Sequence, residues 1–293
     1  MQTDLFGKRR YKVNLHTHTR DTDGKLSHKD AIARYKENGY DAIAVTDHWI
    51  SKLTSEADGL VLLAGGEYNT VGLDSAKGVF HILGIGFTEA PKGISPHDPP
   101  QRIIDELRRV GSYVILAHPA WSLNTPEQIM PLRGVDATEI YNSVSGVHFS
   151  RRPDSSLIVD MIATSGRYYS LIADDDAHFY DNDACVAWIM VEAESGDAKS
   201  LMDAIRQGKY YATQGPEVHL YREGDEYVVR CSPCAEIRYF SNSVYSERIF
   251  RGDGITEARY KPSPEERYLR AEVIDRDGRS AWSQILEIPE NKL

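Results

Sequence analysis

The sequence predicts an α/β fold over its first two-thirds and a small all-β region at its C-terminal end. Apolar runs typical of buried strands alternate with amphipathic helices up to about residue 207. After residue 216 the helical pattern stops, and turn signals separate short strand-like runs. Alternating strands and helices are typical of parallel βα units, in which a site forms at the carboxyl ends of the strands. We therefore predict two domains, one spanning residues 1–215 and a β-sandwich-like domain spanning 216–293.

Local signals justify the elements of the first domain. Ser27 and Asp30 form a capping pattern for the first helix, and Gly39 supplies its end. Ile103 and Leu107 share the apolar face of the second helix. The predicted strands span residues 11–13, 42–45, 60–64, 79–87, 113–117, 137–141 and 169–173, and the predicted helices span 28–38, 102–110, 154–164 and 197–207.

The C-terminal region begins with a predicted connection at residues 208–216. Asp277-Gly278 is a hairpin signal between the last two strands. The predicted strands of this region span residues 217–221, 227–231, 237–240, 268–274 and 282–288.

Composition limits the class of protein. The chain has 293 residues, of which 41% are apolar and 27% charged, as in ordinary soluble globular proteins. Its net charge of −10 argues against a general nucleic-acid binder, although bound cations can still hold a small phosphate. Three cysteines, no apolar run of membrane-spanning length and no signal-peptide pattern favour a cytoplasmic protein. We expect a small-molecule phosphate substrate, no membrane partner, and nucleic acid only as a short or mononucleotide substrate.

Residues of metal-ligand type lie at or near the ends of the predicted strands. His16 and His18 project to the same side of an extended segment, because side chains at i and i+2 share a face. Imidazole combined with carboxylate favours zinc, manganese or iron. The set is too large for one tetrahedral ion and fits two or three divalent ions that share bridging carboxylates. The candidate ligands are His16, His18, Asp23, His48, Glu67, His81, His118, Asp176 and His178.

The same residues form motifs in a fixed order along the chain. The motifs are His16-Thr-His18-Thr, Asp23-Gly24, Thr46-Asp47-His48, Gly66-Glu67, His81, Ala117-His118-Pro119 and Asp176-Ala-His178. This ordered set resembles the PHP (polymerase and histidinol phosphatase) superfamily over residues 11–215. The resemblance implies a distorted (β/α)7 barrel with a trinuclear metal site. Thr22 departs from the pattern, since family members often have serine before this Asp-Gly.

The resemblance also implies how the ligands divide among three ions. The first ion would take His16, His18, Glu67 and Asp176; the second, bridged by Glu67, would take His81 and His118; and the third would take Asp23, His48 and His178. In the aspartate run at 174–176, the Asp-x-His spacing favours Asp176 as the ligand.

Such a site implies a hydrolase. We expect a metal-dependent phosphoesterase that hydrolyses a small phosphate ester or a nucleotide-derived phosphate through a metal-activated hydroxide, with no obligatory side-chain base. Residues 211–216, 230–233 and 281–282 are similar to a PHP branch that includes carbaryl-hydrolase-type metallohydrolases. This similarity implies an alternative, hydrolysis of a carbamate or carboxyl ester at the same site. A non-catalytic metal-binding regulatory module is a third hypothesis.

Several residues near the motifs are candidates for substrate binding. Arginine forks match the geometry of phosphate oxygens, whereas basic residues are commonly solvated surface charges. The candidates are Arg20, Lys25, Tyr141, Asn142, His148, Arg151 and Arg152.

Other kinds of site find little support. Cys231 and Cys234 have the spacing of half a zinc ribbon, but the chain has no second cysteine pair to complete four ligands. No Gly-x-Ser-x-Gly elbow supports a serine hydrolase, and no Gly-x-x-x-x-Gly-Lys loop supports a P-loop nucleotide hydrolase. The sequence leaves the oligomeric state open.

Overall fold

The computed structural model describes residues 1–245 and 248–289. The strands are β1 (Gln2–Thr3), β2 (Arg9–Asn14), β3 (Ala42–Ala44), β4 (Ser55–Ala57), β5 (Leu60–Leu63), β6 (Gly65–Asn69), β7 (His81–Ile85), β8 (Tyr113–Leu116), β9 (Ala137–Asn142), β10 (Ser170–Asp174), β11 (Trp188–Glu192), β12 (Tyr210–Thr213), β13 (Val218–Glu223), β14 (Glu226–Phe240), β15 (Ile249–Tyr260), β16 (Tyr268–Ile274), β17 (Ser280–Trp282) and β18 (Leu286–Glu287). The helices are α1 (His28–Glu37), α2 (Pro100–Arg109), α3 (Pro119–Ser122), α4 (Pro126–Ile129), α5 (Ser143–Val147), α6 (Ser156–Thr164) and α7 (Ala198–Arg206), with a 3₁₀ turn at Ser75–Lys77.

The strands form two open sheets. The larger has the order β13-β14-β16-β17-β12-β11-β2-β3-β5-β4, with β1, β15 and β18 paired alongside β2, β14 and β16. The smaller has the order β10-β9-β8-β7-β6. The predicted α/β class is therefore confirmed. The predicted (β/α)7 barrel is not confirmed, because neither sheet closes on itself within the described residues.

The two sheets share one apolar core. Val13 and Ile189 of the larger sheet and Leu83, Ile115 and Leu171 of the smaller sheet are fully buried in it. Two isolated parallel bridges also connect segments associated with the two sheets, one at residues 17 and 177 and one at residues 48 and 67. These bridges hold together the strand ends that carry the candidate ligands.

Strand direction differs in part from the prediction. β2, β3 and β5 are parallel neighbours, and so are β8, β9 and β10, as expected for βα units. β7, in contrast, is antiparallel to both β6 and β8. The connection from β6 to β7 has only the 3₁₀ turn and no crossover helix, which parallel neighbours usually need. The expectation that the strands of the first region run parallel was therefore wrong for β7.

The capping and packing signals of the helices are confirmed. The hydroxyl of Ser27 accepts a hydrogen bond from the backbone N–H of Asp30 at the start of α1. Ile103 and Leu107 of α2 are fully buried, as their shared face predicts. Within the described residues, no helix is long and apolar enough to cross a membrane.

The C-terminal strands continue the larger sheet. β12 lies inside the segment predicted as a connection, and it pairs with both β11 and β17. The predicted strands at 227–231 and 237–240 are one long strand, β14, in which the pairing register slips around Pro233. Proline cannot donate a ladder hydrogen bond, so the sequence indicates a break where the structure has a bulge. The last predicted strand is two strands, β17 and β18.

A buried ion pair joins the C-terminal sheet to the first region. The guanidinium of Arg270, on β16, is fully buried and donates to both carboxylate oxygens of Asp160, on α6, at 2.7 and 2.6 Å. It also lies over the ring of Phe240, 3.9 Å from the ring centroid. A buried cation that loses its partner keeps its desolvation cost, so this contact constrains how α6 and β16 pack.

We predict that Asp160→Ala lowers the free energy of unfolding by about 3 kcal/mol, because it leaves the Arg270 charge buried and unpaired. Asp203→Ala is the matched control, since it removes an exposed pair with Lys199 on α7, and pairs of this kind contribute little to stability. Urea unfolding of both variants measures the difference. Equal effects would contradict the role assigned to the buried pair.

Candidate metal centre

The candidate ligands surround one cavity of about 230 Å³. His16 and His18 are fully buried within the same cluster of ligand atoms. The candidates that line the cavity wall are Asp23, His48, Glu67, His81, His118, Asp176 and His178. The structure therefore brings together every ligand proposed from the sequence.

Four ligand atoms lie at distances that suit a single metal ion. The Nε2 atoms of His16 and His18 are 3.2 Å apart. Oε2 of Glu67 lies 3.3 and 3.0 Å from these two nitrogens, and Oδ1 of Asp176 lies 3.1 Å from each. A tetrahedral site with bonds of about 2.0 Å has ligand–ligand edges of about 3.3 Å. A first-row divalent ion therefore fits between these four atoms.

Glu67 also faces a second group of ligands. Its Oε1 atom lies 2.6 Å from Nδ1 of His81 and 3.6 Å from Nε2 of His118. Its Oε2 atom faces the first group and lies 3.2 Å from Nδ1 of His48. A carboxylate whose two oxygens face different sets of imidazoles has the arrangement of a bridging ligand.

A third group forms around Asp23. Its Oδ2 atom lies 3.3 Å from Nε2 of His178 and 3.5 Å from Nε2 of His48. His48 thus presents one ring nitrogen to this group and the other to Glu67. The three groups are contiguous and share side chains.

Several buried ligand atoms have close neighbours but no hydrogen bond. These atoms are Nδ1 of His18, Nδ1 of His48 and Oδ1 of Asp176. A buried polar atom without a partner is costly, and a coordinated cation removes that cost. The residues present therefore fit divalent metal ions.

Charge in the cluster favours bound cations. Burial opposes protonation of His48, but the carboxylates of Glu67 and Asp23 outweigh it and raise the pKa to about 9. The pKa of His178 also rises to about 9, against burial, chiefly because of Asp176 and Asp23. Burial likewise opposes ionisation of Glu67, yet the facing histidines hold the pKa of its carboxyl well below the usual range. The carboxylates thus stabilise positive charge, which metal ions can supply.

Glu139 orients the first ligand and was missed from the sequence. It is fully buried on β9, and its Oε1 atom lies 2.6 Å from Nδ1 of His16. Its other oxygen accepts hydrogen bonds from the backbone N–H of His118 and the amide of Asn142. A carboxylate on Nδ1 leaves Nε2 free for a metal and fixes the ring orientation. The available signal was an acidic residue inside an apolar strand.

The three consecutive aspartates at 174–176 have separate partners. Asp174 accepts from the backbone N–H of Leu15, and Asp175 accepts from three backbone N–H groups of the segment 185–187. Asp176 has φ of 52° and turns into the cluster. This placement is consistent with the Asp-x-His spacing.

The loop that carries Asp23 is tied to Asp47. The Asp47 carboxylate accepts from the backbone and hydroxyl of Thr19 and from the hydroxyl of Thr22. Thr22 thus supplies the hydroxyl that a serine would supply. A Cβ on Gly24 would lie 2.4 Å from the carbonyl oxygen of His18, so the tight turn requires glycine here.

Comparison with known proteins supports the fold. Neither a protein-family profile nor any curated protein matches the chain by sequence. A two-domain protein from Bacteroides vulgatus that contains a predicted PHP-like metal-dependent phosphoesterase matches 98% of this chain and 97% of its own, with a TM-score of 0.55 and 15% identity. The chain has this PHP-like fold. A candidate metal-dependent phosphoesterase from Bifidobacterium adolescentis matches 67% of this chain and 94% of its own at 13% identity, with a TM-score of 0.42.

The likeness confirms the family resemblance at the level of fold. The match spans both regions of the chain. The division into two domains at residue 215, with a β-sandwich-like second domain, stays a prediction. The similarity of the C-terminal region to carbaryl-hydrolase-type members stays a prediction.

The predicted substrate-binding residues lie outside the wall of the metal cavity. The amide of Asn142 donates to Oδ2 of Asp176 at 3.1 Å. Tyr141 stacks on Trp282, and His148 stacks on Phe179. Of these three, Asn142 directly contacts a candidate metal ligand.

The side chains of the basic candidates contact no candidate metal ligand among the described contacts. Arg20 donates to the backbone carbonyl of Lys25, and Lys25 lies over the ring of Phe179. Arg151 and Arg152 are exposed. Among the described residues, the cavity wall has no lysine or arginine. Phosphate binding by these side chains stays a prediction.

The non-ligand residues in the cavity wall were not predicted from the sequence. These residues are Trp121, Ser145 and Phe149. Trp121 stands edge-on to His81 and His118, with ring centroids 5.4 and 4.9 Å apart. No spacing rule marks a tryptophan in a helix as part of a metal cavity.

We predict that Glu139→Gln weakens metal binding by about 10- to 100-fold. An amide has one acceptor oxygen, so it cannot accept hydrogen bonds at both positions where the two carboxylate oxygens face the His16 ring and the His118 backbone N–H. Competition with a calibrated chelator measures the affinity for zinc and manganese. Glu127→Gln, an exposed substitution on α4, is the control and should leave affinity unchanged. Equal affinities for the two variants would contradict the orienting role of Glu139.

Proposed function

We propose that this protein is a metal-dependent phosphoesterase that hydrolyses a small phosphate ester or a nucleotide-derived phosphate at a trinuclear site. The observation that carries the proposal is Glu67, whose two oxygens face separate imidazole groups within one cavity. The ligand chemistry fits zinc, manganese or iron.

Divalent ions bound here supply Lewis-acid stabilisation of negative charge and a nucleophile derived from water. The chain's own residues hold and orient these ions, with Glu139 fixing the ring of His16. Trp121 and Phe149 form the aromatic part of the cavity wall. In the reaction, the oxygen of water bonds to phosphorus, the ester P–O bond breaks, and the alcohol leaves with a proton.

One observation favours the alternative of a carbamate or carboxyl-ester hydrolase. The described cavity wall has no lysine or arginine that would pair with a phosphate dianion. A neutral ester needs no such pair. The same ligands would serve that reaction, so the two proposals differ in the bond that is cleaved.

We predict that chelation of bound metal abolishes hydrolysis of p-nitrophenyl phosphate and that manganese or zinc restores it. His16→Ala should lower the rate at least ~100-fold, because it removes a ligand from the innermost group. The exposed His97→Ala is the control and should keep the wild-type rate. Full activity after chelation to fewer than two ions per chain would overturn the proposal.

A second measurement distinguishes hydrolysis of phosphate esters from hydrolysis of neutral esters. We expect p-nitrophenyl phosphate or its bis-p-nitrophenyl diester to be cleaved faster than p-nitrophenyl acetate by the same metal-loaded preparation. The His16→Ala variant corrects for contaminating esterases. Acetate cleavage that depends on His16 and exceeds phosphate cleavage would favour the alternative.

A further inference from the structure

A groove of about 630 Å³ adjoins the metal cavity. The two spaces share His81 and Trp121 as lining residues. A molecule whose reacting group lies at the metal centre can therefore extend directly into this groove.

The groove presents exposed apolar side chains. Val71, Leu73 and Leu123 line it and are 51%, 102% and 49% exposed, respectively. Phe149, at the cavity wall, is also exposed. Single exposed apolar residues are ordinary, but a cluster beside a polar site is typical of a ligand-binding surface.

The position of Trp121 is fixed by the candidate metal ligands. Its ring packs edge-on against His81 and His118. The tryptophan therefore stands at the border between the polar cavity and the groove. Indole is a large, rigid surface that binds flat apolar groups with little loss of side-chain entropy.

The charged residues of the groove lining narrow the class of ligand that the groove can bind. The described groove lining has no carboxylate, and Arg152 is its one arginine or lysine. A strongly cationic group would find no counter-charge here. An uncharged apolar group fits the lining. The phosphate of the same molecule would then lie among the candidate metal ligands of the adjoining cavity.

We propose that the groove formed by Val71, Leu73, Trp121 and Leu123 binds the leaving group of the substrate and that this group carries an aromatic ring. This inference rests on the proposed phosphoesterase function and specifies its substrate class. In this arrangement Trp121 contacts the ring, and the aliphatic side chains of the same groove add apolar contact area.

Two phosphate monoesters isolate the contribution of the ring. Ethyl phosphate and 2-phenylethyl phosphate have alcohol leaving groups of similar acidity and differ by a phenyl group. The metal-loaded wild-type protein should show a kcat/KM at least about ten-fold higher for the phenyl substrate. Equal values for the two substrates would overturn the inference.

Single substitutions test which side chains cause the preference for the phenyl substrate. Trp121→Ala should reduce the preference for the phenyl substrate by about ten-fold, mainly through KM, whereas Trp121→Phe should keep most of it. Leu73→Ala should reduce it by about three-fold, and Leu157→Ala, at an exposed leucine on α6 outside the groove, should not change it. Metal content measured on each variant separates loss of the groove from loss of ions. An unchanged preference in Trp121→Ala at full metal content would overturn the inference.

Phosphonate binding separates this inference from the proposed reaction. Calorimetry on the metal-loaded protein compares 2-phenylethylphosphonate with ethylphosphonate, neither of which can be hydrolysed at an ester bond. Tighter binding of the phenyl compound that depends on Trp121 supports the groove even where no phosphate ester is cleaved. Cleavage of esters without any phenyl preference in rate or binding supports the reaction and rejects the groove.

Discussion

The buried carboxylate of Glu67 is the group on which the site depends. It is almost fully buried, and its oxygens face five histidines that come from different parts of the chain. A lone buried anion is strongly unfavourable, so the surrounding imidazoles and the cations they can hold are a condition for placing it there. The bridges between the two sheets position this residue, because one of them joins residues 48 and 67. The packing of the two sheets therefore also brings the candidate ligands together.

The polar network behind the ligands gives the site its rigidity. Glu139 contacts His16 and the backbone at residue 118, and Asp175 ties the end of β10 to the segment 185–187. Buried carboxylates satisfied by backbone N–H groups hold ligands more firmly than packing alone, because each hydrogen bond fixes a direction. Outside this network the character changes to aromatic and aliphatic at Trp121 and in the groove beyond it. The site thus has a polar, preorganised interior and an apolar exterior face.

Much of this arrangement was predictable from the sequence. His16 and His18 share a face through simple strand periodicity, and the capped helix α1 and the buried strands β3, β5 and β8 follow from local patterns. The nine candidate ligands stand in a recognisable order along the chain, and the structure brings them together around one cavity. The ends of strands were harder to predict. Pro233 indicates an interruption, but the sheet accommodates it with a bulge and the strand continues. The closed barrel implied by the resemblance is not confirmed. Sheet closure is difficult to predict from sequence, because it depends on pairing between residues distant along the chain.

His81 illustrates the division between sequence and structure. It stands at the start of its strand, although the other histidine ligands follow strands. β7 runs antiparallel to β8, so the start of β7 lies beside the end of β8 that carries His118. By itself, the sequence determined which side chains have the chemistry to hold metal ions, because residue type and order are local properties. Only the tertiary structure decided which atoms face one another, which carboxylate orients them and what surrounds the cavity, because strand direction and burial are set by contacts between distant segments.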